Sequence, residues 1–233
     1  MVPVYNESTR ISKTVKILSS YLKKHFVSYE MIFINDSSKD NSLKLLSVYK
    51  SKNISIISNI SNMGKGFSVK RGMLKAKYPL ILFSDFDLAT PISELPKLIS
   101  QIEKGFDVAI ASRSLKNSNV KLEQPFYRVV LGKTFSVLVS LIAISGFKDT
   151  QCGFKLFTKK AAKTIFKLQT FERFSFDVEI LFIAKKYNLK IKEVPVTWID
   201  GGDSKVSPIK DSFLMFKDLI KIRLNDLRGL YRI

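Results

Sequence analysis

Short apolar runs alternate with stretches of helical periodicity over the first 112 residues. Continuous runs such as 31–34 (MIFI) and 80–83 (LILF) are typical of strands buried on both faces of a parallel sheet. The pattern predicts strands at 2–5, 31–34, 54–58, 80–83 and 108–111, and helices at 8–22, 43–49, 67–76 and 92–104. This alternation indicates an α/β fold, a Rossmann-like and mostly parallel sheet with helices on both faces.

The second half of the chain has a different pattern. Residues 115–124 form a polar stretch that we expect to be a loop, and Pro195 places the strand at 191–199 at a sheet edge or a bulge. We divide the chain into a main domain, 1–207, and a C-terminal amphipathic, basic helical extension, 208–233. The predicted apolar stripe of that extension is Phe213, Phe216, Leu219, Ile220, Leu224 and Leu227, and its basic face is Lys217, Lys221, Arg223 and Arg228.

Composition then narrows the class of protein. The chain carries 39 Lys and Arg against 20 Asp and Glu, a formal net charge of +19. Such a charge attracts nucleic acid, an anionic membrane face or a phosphorylated substrate, and compositional bias is the alternative explanation. The single Cys152 excludes a disulfide framework and a cysteine-based zinc site, and the single His25 disfavours a His-dependent triad.

The sequence contains no predicted membrane span. Residues 1–7 do not resemble a secretory signal, because the chain is already polar at Tyr5. The longest apolar run, 135–147 (FSVLVSLIAISGF), is shorter than the roughly 18 residues that a spanning helix needs. It is interpreted either as a core helix or as a helix that lies in a membrane interface.

Polar side chains follow four of the predicted strands. Because ligands bind outside the carboxyl ends of the strands in open α/β sheets, these residues predict a binding site at that edge. They are Asn6 and Glu7, Asn35 and Asp36, Asp85 and Asp87, and Ser112 and Arg113.

The sharpest chemical feature is the carboxylate pair Asp85 and Asp87. Two carboxylates at a strand end suit Mg²⁺ or Mn²⁺, which prefer oxygen ligands; a solvated turn is the alternative.

The 64–66 stretch (GKG) either lets backbone amides approach a phosphate or forms a turn before a helix, and it lacks the spacing of a P-loop. Arg113 suits a phosphate, and Arg128 and Lys133 add charge or form a solvated face.

Taken together, the motifs resemble those of family 2 glycosyltransferases with a GT-A fold. Within that family they are most similar to the polyprenyl-phosphate branch, which includes the dolichyl-phosphate β-glucosyltransferases and the dolichyl-phosphate mannose synthases. The motifs that carry the resemblance are PVYNE at 3–7, NDSSKD at 35–40, NMGKG at 62–66, SDFD at 84–87, SR at 112–113, DTQCGFK at 149–155, RFSFDVE at 173–179 and EVPVTW at 193–198.

The resemblance implies transfer of a hexose, with inversion, from a nucleotide sugar to a polyprenyl phosphate, with glucose and UDP-glucose favoured. It implies that Asp87 holds Mg²⁺ or Mn²⁺ and that Asp85 contacts the ribose or the metal's water shell. It further implies that Arg113, with Lys133 or Arg128, holds the acceptor phosphate. The implied nucleotide-sugar-binding residues are Pro3, Tyr5, Glu7, Asp36, Lys65, Asp85 and Phe86.

Asp177 is either a catalytic base or a positioning residue in this scheme. An ionised phosphate oxygen of the acceptor is already nucleophilic, so the reaction does not require a strong base. The chain departs from the family pattern in its short first strand and in Asn35, which stands where an aspartate is common. We expect no N-terminal anchor of the kind that the eukaryotic enzymes carry, and therefore a cytoplasmic protein bound peripherally to an anionic membrane face.

Other functions stay open on sequence grounds. Within enzymes, the alternatives are another sugar donor, or a glycan or protein acceptor. A non-catalytic nucleotide- or nucleic-acid-binding protein is an alternative of another class, although no nucleic-acid motif is present and acidic residues lie at the strand ends. The oligomeric state is not predicted.

Overall fold

The computed structural model describes residues 1–121, 126–199 and 208–232. Strands and helices alternate as the apolar pattern predicts, and Ile92–Glu94 adds a 3₁₀ turn before α4. The strands are β1 Val2–Val4, β2 Met31–Asn35, β3 Ile54–Ser58, β4 Leu80–Ser84, β5 Val108–Ser112, β6 Asn119–Lys121, β7 Phe154–Thr158, β8 Ile191–Pro195 and β9 Thr197–Ile199. The helices are α1 Ile11–His25, α2 Ser42–Ser47, α3 Lys65–Lys75, α4 Leu95–Glu103, α5 Phe126–Ile142, α6 Lys159–Leu168, α7 Phe176–Lys186 and α8 Pro208–Leu227.

The central strands form two hydrogen-bonded groups that meet at Met1. One group has the order β1-β2-β3 and the other β4-β7-β5-β8. The Met1 backbone joins them, because its nitrogen donates to Leu82 O (2.7 Å) and its carbonyl accepts from Ser84 N (3.1 Å). Strands β1, β2 and β3 pair in parallel, as do β5 and β8. Strand β7 runs antiparallel to both β4 and β5, so the predicted sheet is mostly but not wholly parallel.

Helices pack on both faces of this sheet, as predicted. Alternate residues of β5 enter different cores: Val108 and Ile110 contact the cluster that contains α3, α5, α6, α7 and α8, whereas Ala109 and Ala111 contact the cluster of α1, α2 and α4. This division follows from the two-residue period of a strand.

A side-chain cap stabilises the start of α6, since the Thr158 side chain accepts a hydrogen bond from the Ala161 amide.

Two expectations for the second half need correction. The predicted polar loop at 115–124 includes strand β6, which pairs in parallel with β9; residues 122–125 lie outside the described part of the chain. The apolar strand predicted at 191–199 is two strands, β8 and β9, that belong to different sheets. Strand β8, which ends at Pro195, lies at the edge of its sheet, as the proline predicted.

The long C-terminal helix packs on the core with a face that matches the predicted stripe only in part, since Leu219 is buried and Phe216 is half-buried. The buried residues of α8 include Met215, Leu219 and Ile222, which follow one another at helical spacing. Ile220, Leu224 and Leu227 of the predicted stripe are exposed, Leu227 by 81%. The side chain of Phe213 lies outside the described residues. The basic residues Lys217, Lys221, Arg223 and Arg228 are exposed, as expected.

The apolar run at 135–147 divides between two environments. Phe135, Val139 and Ile144 are buried, whereas Val137 and Leu141 are 58% and 78% exposed. Helix α5 therefore has a core face and an outward apolar face. None of the helices in the described ranges 1–121, 126–199 and 208–232 combines the length and hydropathy needed to cross a bilayer.

Candidate active site

Asp36 joins the end of β2 to the start of α3. Its side chain is buried, and each oxygen is occupied: Oδ1 accepts from Asn59 Nδ2 (2.7 Å) and Met63 N (2.9 Å), and Oδ2 accepts from Gly64 N (2.8 Å). Gly64 adopts φ +100°, a conformation that favours glycine. Asp36 therefore fixes the loop that begins α3, and the Gly64 amide is used by this carboxylate.

The carboxylates of Asp85 and Asp87 follow β4 on either side of a buried ring. Phe86 packs edge-on against Phe33, with ring centroids 6.2 Å apart, so its side chain anchors the motif in the core. Asp85 N donates to Gly153 O (2.8 Å), and Asp87 Oδ1 accepts from Ala89 N (3.0 Å). The backbone therefore holds both acidic residues at the strand end, where the sequence predicted a site.

Lys65 supplies the positive charge beside this pair. Its Nζ lies 2.7 Å from Asp85 Oδ1. Burial lowers the pKa of Lys65, but Asp85, Asp177 and Asp87 outweigh it, and the net shift is upward. Burial, followed by repulsion from Asp85, raises the pKa of Asp87. Two mutually repelling carboxylates and one ammonium thus share this end of the sheet.

This donor set fits a hard divalent cation. Oxygen ligands are what Mg²⁺ and Mn²⁺ prefer, and a cation would relieve the repulsion that raises the Asp87 pKa. Over the described residues, no group of three or more His, Cys, Asp or Glu side chains is arranged to hold a metal. A cation at Asp85 and Asp87 would therefore take its other ligands from water and from a bound phosphate, as Mg²⁺ often does.

The 149–155 stretch packs against Asp85. A Cβ atom added to Gly153 would lie 1.9 Å from Asp85 Oδ2, so no larger residue fits here without moving Asp85. Two residues further on, the Lys155 side chain is fully buried, donates to Cys152 O (2.8 Å) and is paired with Asp177. Burial raises the pKa of Asp177 despite the attraction of Lys155. Asp177 therefore lies inside the protein in an ion pair.

Arg113, after β5, is held by Asp149. The guanidinium donates from Nε to Oδ2 (2.7 Å) and from Nη2 to Oδ1 (2.9 Å), and the Arg113 backbone N–H also reaches Oδ2 (2.9 Å). Although burial raises the pKa of Asp149, Arg113 lowers it below its ordinary value. Glu193 of β8 fixes Asp149 in turn by accepting the amides of Lys148 and Asp149, each at 2.9 Å.

Comparison with known proteins shows to which family the chain belongs. The model of "Glycosyl transferase family 2" matches residues 1–166. The chain belongs to glycosyl transferase family 2. Over its full length it is 38% identical to a dolichyl-phosphate beta-glucosyltransferase of Dictyostelium discoideum and 34% identical to one of Homo sapiens, and it covers 76% of each relative.

A solved structure of another protein has the same fold as this chain. The chain resembles glucosyl-3-phosphoglycerate synthase from Mycobacterium tuberculosis with a TM-score of 0.70 at 15% identity, over 96% of this chain and 77% of that one. That protein was crystallised with Mn²⁺, UDP-glucose and glycerol 3-phosphate. The likeness shows that this glycosyltransferase has the expected GT-A fold.

The structure brings together most of the residues that the family resemblance selected. Pro3 lies in β1, and Tyr5 and Glu7 follow it, half-buried beside the loop after β2. Glu7 N donates to Ser42 Oγ (2.7 Å), which links the loop after β1 to the start of α2. Phe86 differs from the expectation of a nucleotide contact, because its ring is buried in the core. The side chains of Arg128 and Lys133 lie outside the described residues.

Sequence reasoning assigned no role to Asp149, Gly153, Lys155 and Glu193. All four stand inside motifs that carried the resemblance, DTQCGFK and EVPVTW, but nothing in their spacing indicates that they contact Arg113, Asp85 or Asp177. The buried Lys155 gave the clearest signal available, a charged residue at the second position of an otherwise apolar strand. Cys152 and Trp198 are buried in the core, and the Trp198 ring centroid lies 5.4 Å from Arg113 Cζ.

Proposed function

We propose that this glycosyltransferase transfers glucose from UDP-glucose to a polyprenyl phosphate at a membrane face, with inversion at the anomeric carbon. The observation that carries the donor half is the Asp85–Asp87 pair beside Lys65 at the strand ends. The observation that carries the acceptor half is the similarity to relatives named dolichyl-phosphate beta-glucosyltransferase, at 33–38% identity across four of the organisms compared.

The donor site has to stabilise the charge that develops on a departing nucleoside diphosphate. When bound, Mg²⁺ or Mn²⁺ would supply Lewis-acid stabilisation of that charge. Asp85 and Asp87 would hold the cation, and the Lys65 ammonium, 2.7 Å from Asp85, adds a second positive charge next to them. Asp36 contributes by holding the backbone at Met63 and Gly64, so that Lys65 starts its helix in a fixed place.

The acceptor site needs a cation for the attacking phosphate. Two of the five N–H groups of the Arg113 guanidinium donate to Asp149, no other described residue accepts a hydrogen bond from the group, and the Trp198 ring centroid lies 5.4 Å from Cζ. The Arg113 side chain is 30% exposed, so its remaining N–H groups could donate to a phosphate while Asp149 fixes the plane of the guanidinium. The acceptor phosphate is ionised near neutral pH, which agrees with Asp177 serving in a buried ion pair with Lys155 and not as a base.

The lipid acceptor requires contact with a membrane. Helices α5 and α8 pack together and present Val137, Leu141 and Leu227 as exposed apolar side chains. Exposed Lys217 and Lys221 lie on the same helix as Leu227. An apolar face with basic neighbours is typical of peripheral binding to an anionic interface.

The proposed function is tested with a panel of nucleotide sugars, a polyprenyl phosphate and either Mn²⁺ or Mg²⁺. We expect UDP-glucose to be the best donor and Asp87→Ala to abolish turnover in a folded protein. Asp226→Ala, which removes a carboxylate paired with Lys186 away from the strand ends, is the matched control and should leave turnover unchanged. Full turnover of Asp87→Ala, or of the wild type in excess chelator, would exclude this metal role; transfer only to a protein or glycan would exclude the acceptor.

A further inference from the structure

The start of α3 is braced by a segment far away in the sequence. A Cβ atom on Gly64 would lie 2.4 Å from Glu172 O, and one on Gly66 would lie 2.5 Å from Phe171 O. Phe67 N donates to Glu172 O (3.0 Å), and Gln169 Nε2 donates to Gly66 O (2.9 Å). The 169–173 segment thus touches the backbone on both sides of Lys65. Both glycines are required because two backbones approach closely, and not only because a phosphate binds.

Glu179 of α7 holds this bracing segment in place. Its side chain is fully buried, and its two oxygens accept four hydrogen bonds. Oε1 accepts from Thr170 N (2.8 Å), Thr170 Oγ1 (2.6 Å) and Tyr231 Oη (2.8 Å), and Oε2 accepts from Phe171 N (2.9 Å). A buried carboxylate with this many donors fixes the backbone at 170–171, because losing any donor leaves part of the charge unpaired.

The C-terminal segment completes the arrangement. Tyr231 is fully buried against Phe182, and its hydroxyl bonds Glu179. Asn225 of α8 donates to Thr170 Oγ1 (3.2 Å) and to Tyr231 Oη (3.4 Å). The 170–171 segment and Tyr231 therefore meet at the Glu179 carboxylate, and Asn225 joins Tyr231 to Thr170 beside it.

We infer that Tyr231 and Glu179 are positioning residues for the nucleotide-sugar site, and that they act through the 169–173 segment on Lys65. The inference rests on the proposed function, because it takes the donor to bind beside Lys65. Without the Tyr231 hydroxyl, the 170–172 backbone gains freedom, the Phe67 N–H bond to Glu172 O weakens, and Lys65 loses its fixed place beside Asp85. The expected consequence is weaker donor binding with acceptor binding unchanged, since Arg113 is held separately by Asp149.

The test compares Tyr231→Phe with Tyr49→Phe in the full chain. The Tyr49 hydroxyl also donates a hydrogen bond, to Ser12 Oγ (3.2 Å), but Tyr49 packs against the other core cluster from α7, so Tyr49→Phe makes the same chemical change away from Glu179. Calorimetric titration with UDP-glucose and Mn²⁺ should give a Kd raised by about three- to tenfold in Tyr231→Phe, the size expected for one ordinary hydrogen bond, because Tyr231 acts on Lys65 only through the 169–173 segment. The KM for the polyprenyl phosphate should stay within about twofold, and Tyr49→Phe should match the wild type in both.

Hydrogen exchange in the ligand-free protein gives a second readout. The Phe67 amide should exchange faster in Tyr231→Phe, whereas the amides of β2 should be unaffected. If Tyr231→Phe does not fold, Asn225→Ala, which removes the bonds that join Thr170 to Tyr231 at a half-buried position, is measured in its place. Equal loss of donor and acceptor binding, or an unchanged Kd with unchanged Phe67 exchange, would overturn the inference. Absence of UDP-glucose binding by the wild type would instead refute the proposed function.

Discussion

Replacing Asp177 with Asn separates a structural role from a catalytic one. The family resemblance left Asp177 as either a base or a positioning residue, and the structure places it in a buried ion pair with Lys155. Asn has nearly the same shape and still accepts a hydrogen bond, but it carries no charge. Asp177→Asn therefore leaves the Lys155 ammonium buried without a counter-charge.

The size of the effect follows from the burial of both partners. The side chains of Lys155 and Asp177 are 0% and 6% exposed, so solvent screens neither charge. Removal of one member of a buried pair costs about 3–5 kcal/mol of unfolding free energy. We expect the lower end, about 3 kcal/mol, because Lys155 keeps its hydrogen bond to Cys152 O. For a domain of this length, that corresponds to a fall in Tm of about 6–12 °C.

Urea unfolding and kcat are measured on the same preparation, well below the lowered Tm. We expect the unfolding free energy to fall and kcat to stay within about tenfold of the wild type, because an ionised phosphate needs no base. The double variant Lys155→Met, Asp177→Leu removes both charges and should be more stable than Asp177→Asn. An unchanged urea midpoint together with a kcat reduced more than about 10²-fold would refute the structural reading and make Asp177 the base.

Three further predictions concern the acceptor, the membrane and pH. Arg113→Ala should raise the KM for polyprenyl phosphate more than the calorimetric Kd for UDP-glucose; the reverse order would assign Arg113 to the donor phosphate. Leu141→Glu should reduce flotation with anionic vesicles at low salt, whereas Leu45→Glu on α2, where the leucine is 41% exposed, should not; equal loss in both would remove α5 from the interface. Slight burial raises the pKa of Asp40, but hydrogen bonds from Ser42 and Ser8 outweigh it and lower the pKa to about 2. Because this folded pKa is depressed, the contribution of Asp40 to stability is present above about pH 4 and is lost as the pH falls towards 2. A carboxyl chemical-shift titration with a midpoint near 4 would contradict this assignment.

The apolar pattern predicted the first half of the fold well, because parallel strands buried on both faces have an unambiguous signature. It did not predict the direction of β7, whose sequence FKLFT is compatible with either orientation. Orientation depends on how the chain returns from α5, and no local spacing encodes that path. The pattern predicted the buried face of α8 only in part, for a related reason. Its outward side carries Ile220 and Leu224, so two apolar stripes compete and only packing against α5 distinguishes them.

The site residues likewise divide into those that the sequence pattern predicts and those that only the fold brings close together. Asp36, Asp85 and Arg113 were found because the carboxyl ends of strands are where ligands bind in open sheets. The partners of Asp85 and Arg113, Gly153 and Asp149, lie in the segment that precedes the antiparallel strand β7, and that rule does not apply to the start of a strand. A motif identified them as unusual, but only three-dimensional proximity shows that Gly153 contacts Asp85 and that Asp149 contacts Arg113.

The family match ends at residue 166, but the sheet and the hydrophobic core continue beyond that residue. Strand β8, which pairs with β5, and helix α7, which is buried along most of its length, both follow that point. A chain cut after 166 would lose Asp177 and leave Lys155 buried without its partner. It would also lose Glu179 and the segment that braces Lys65. The residues that define the site chemically thus come from the first half of the chain, and the residues that hold them in place come largely from the second. Substitutions in the second half should therefore change donor binding without touching the donor.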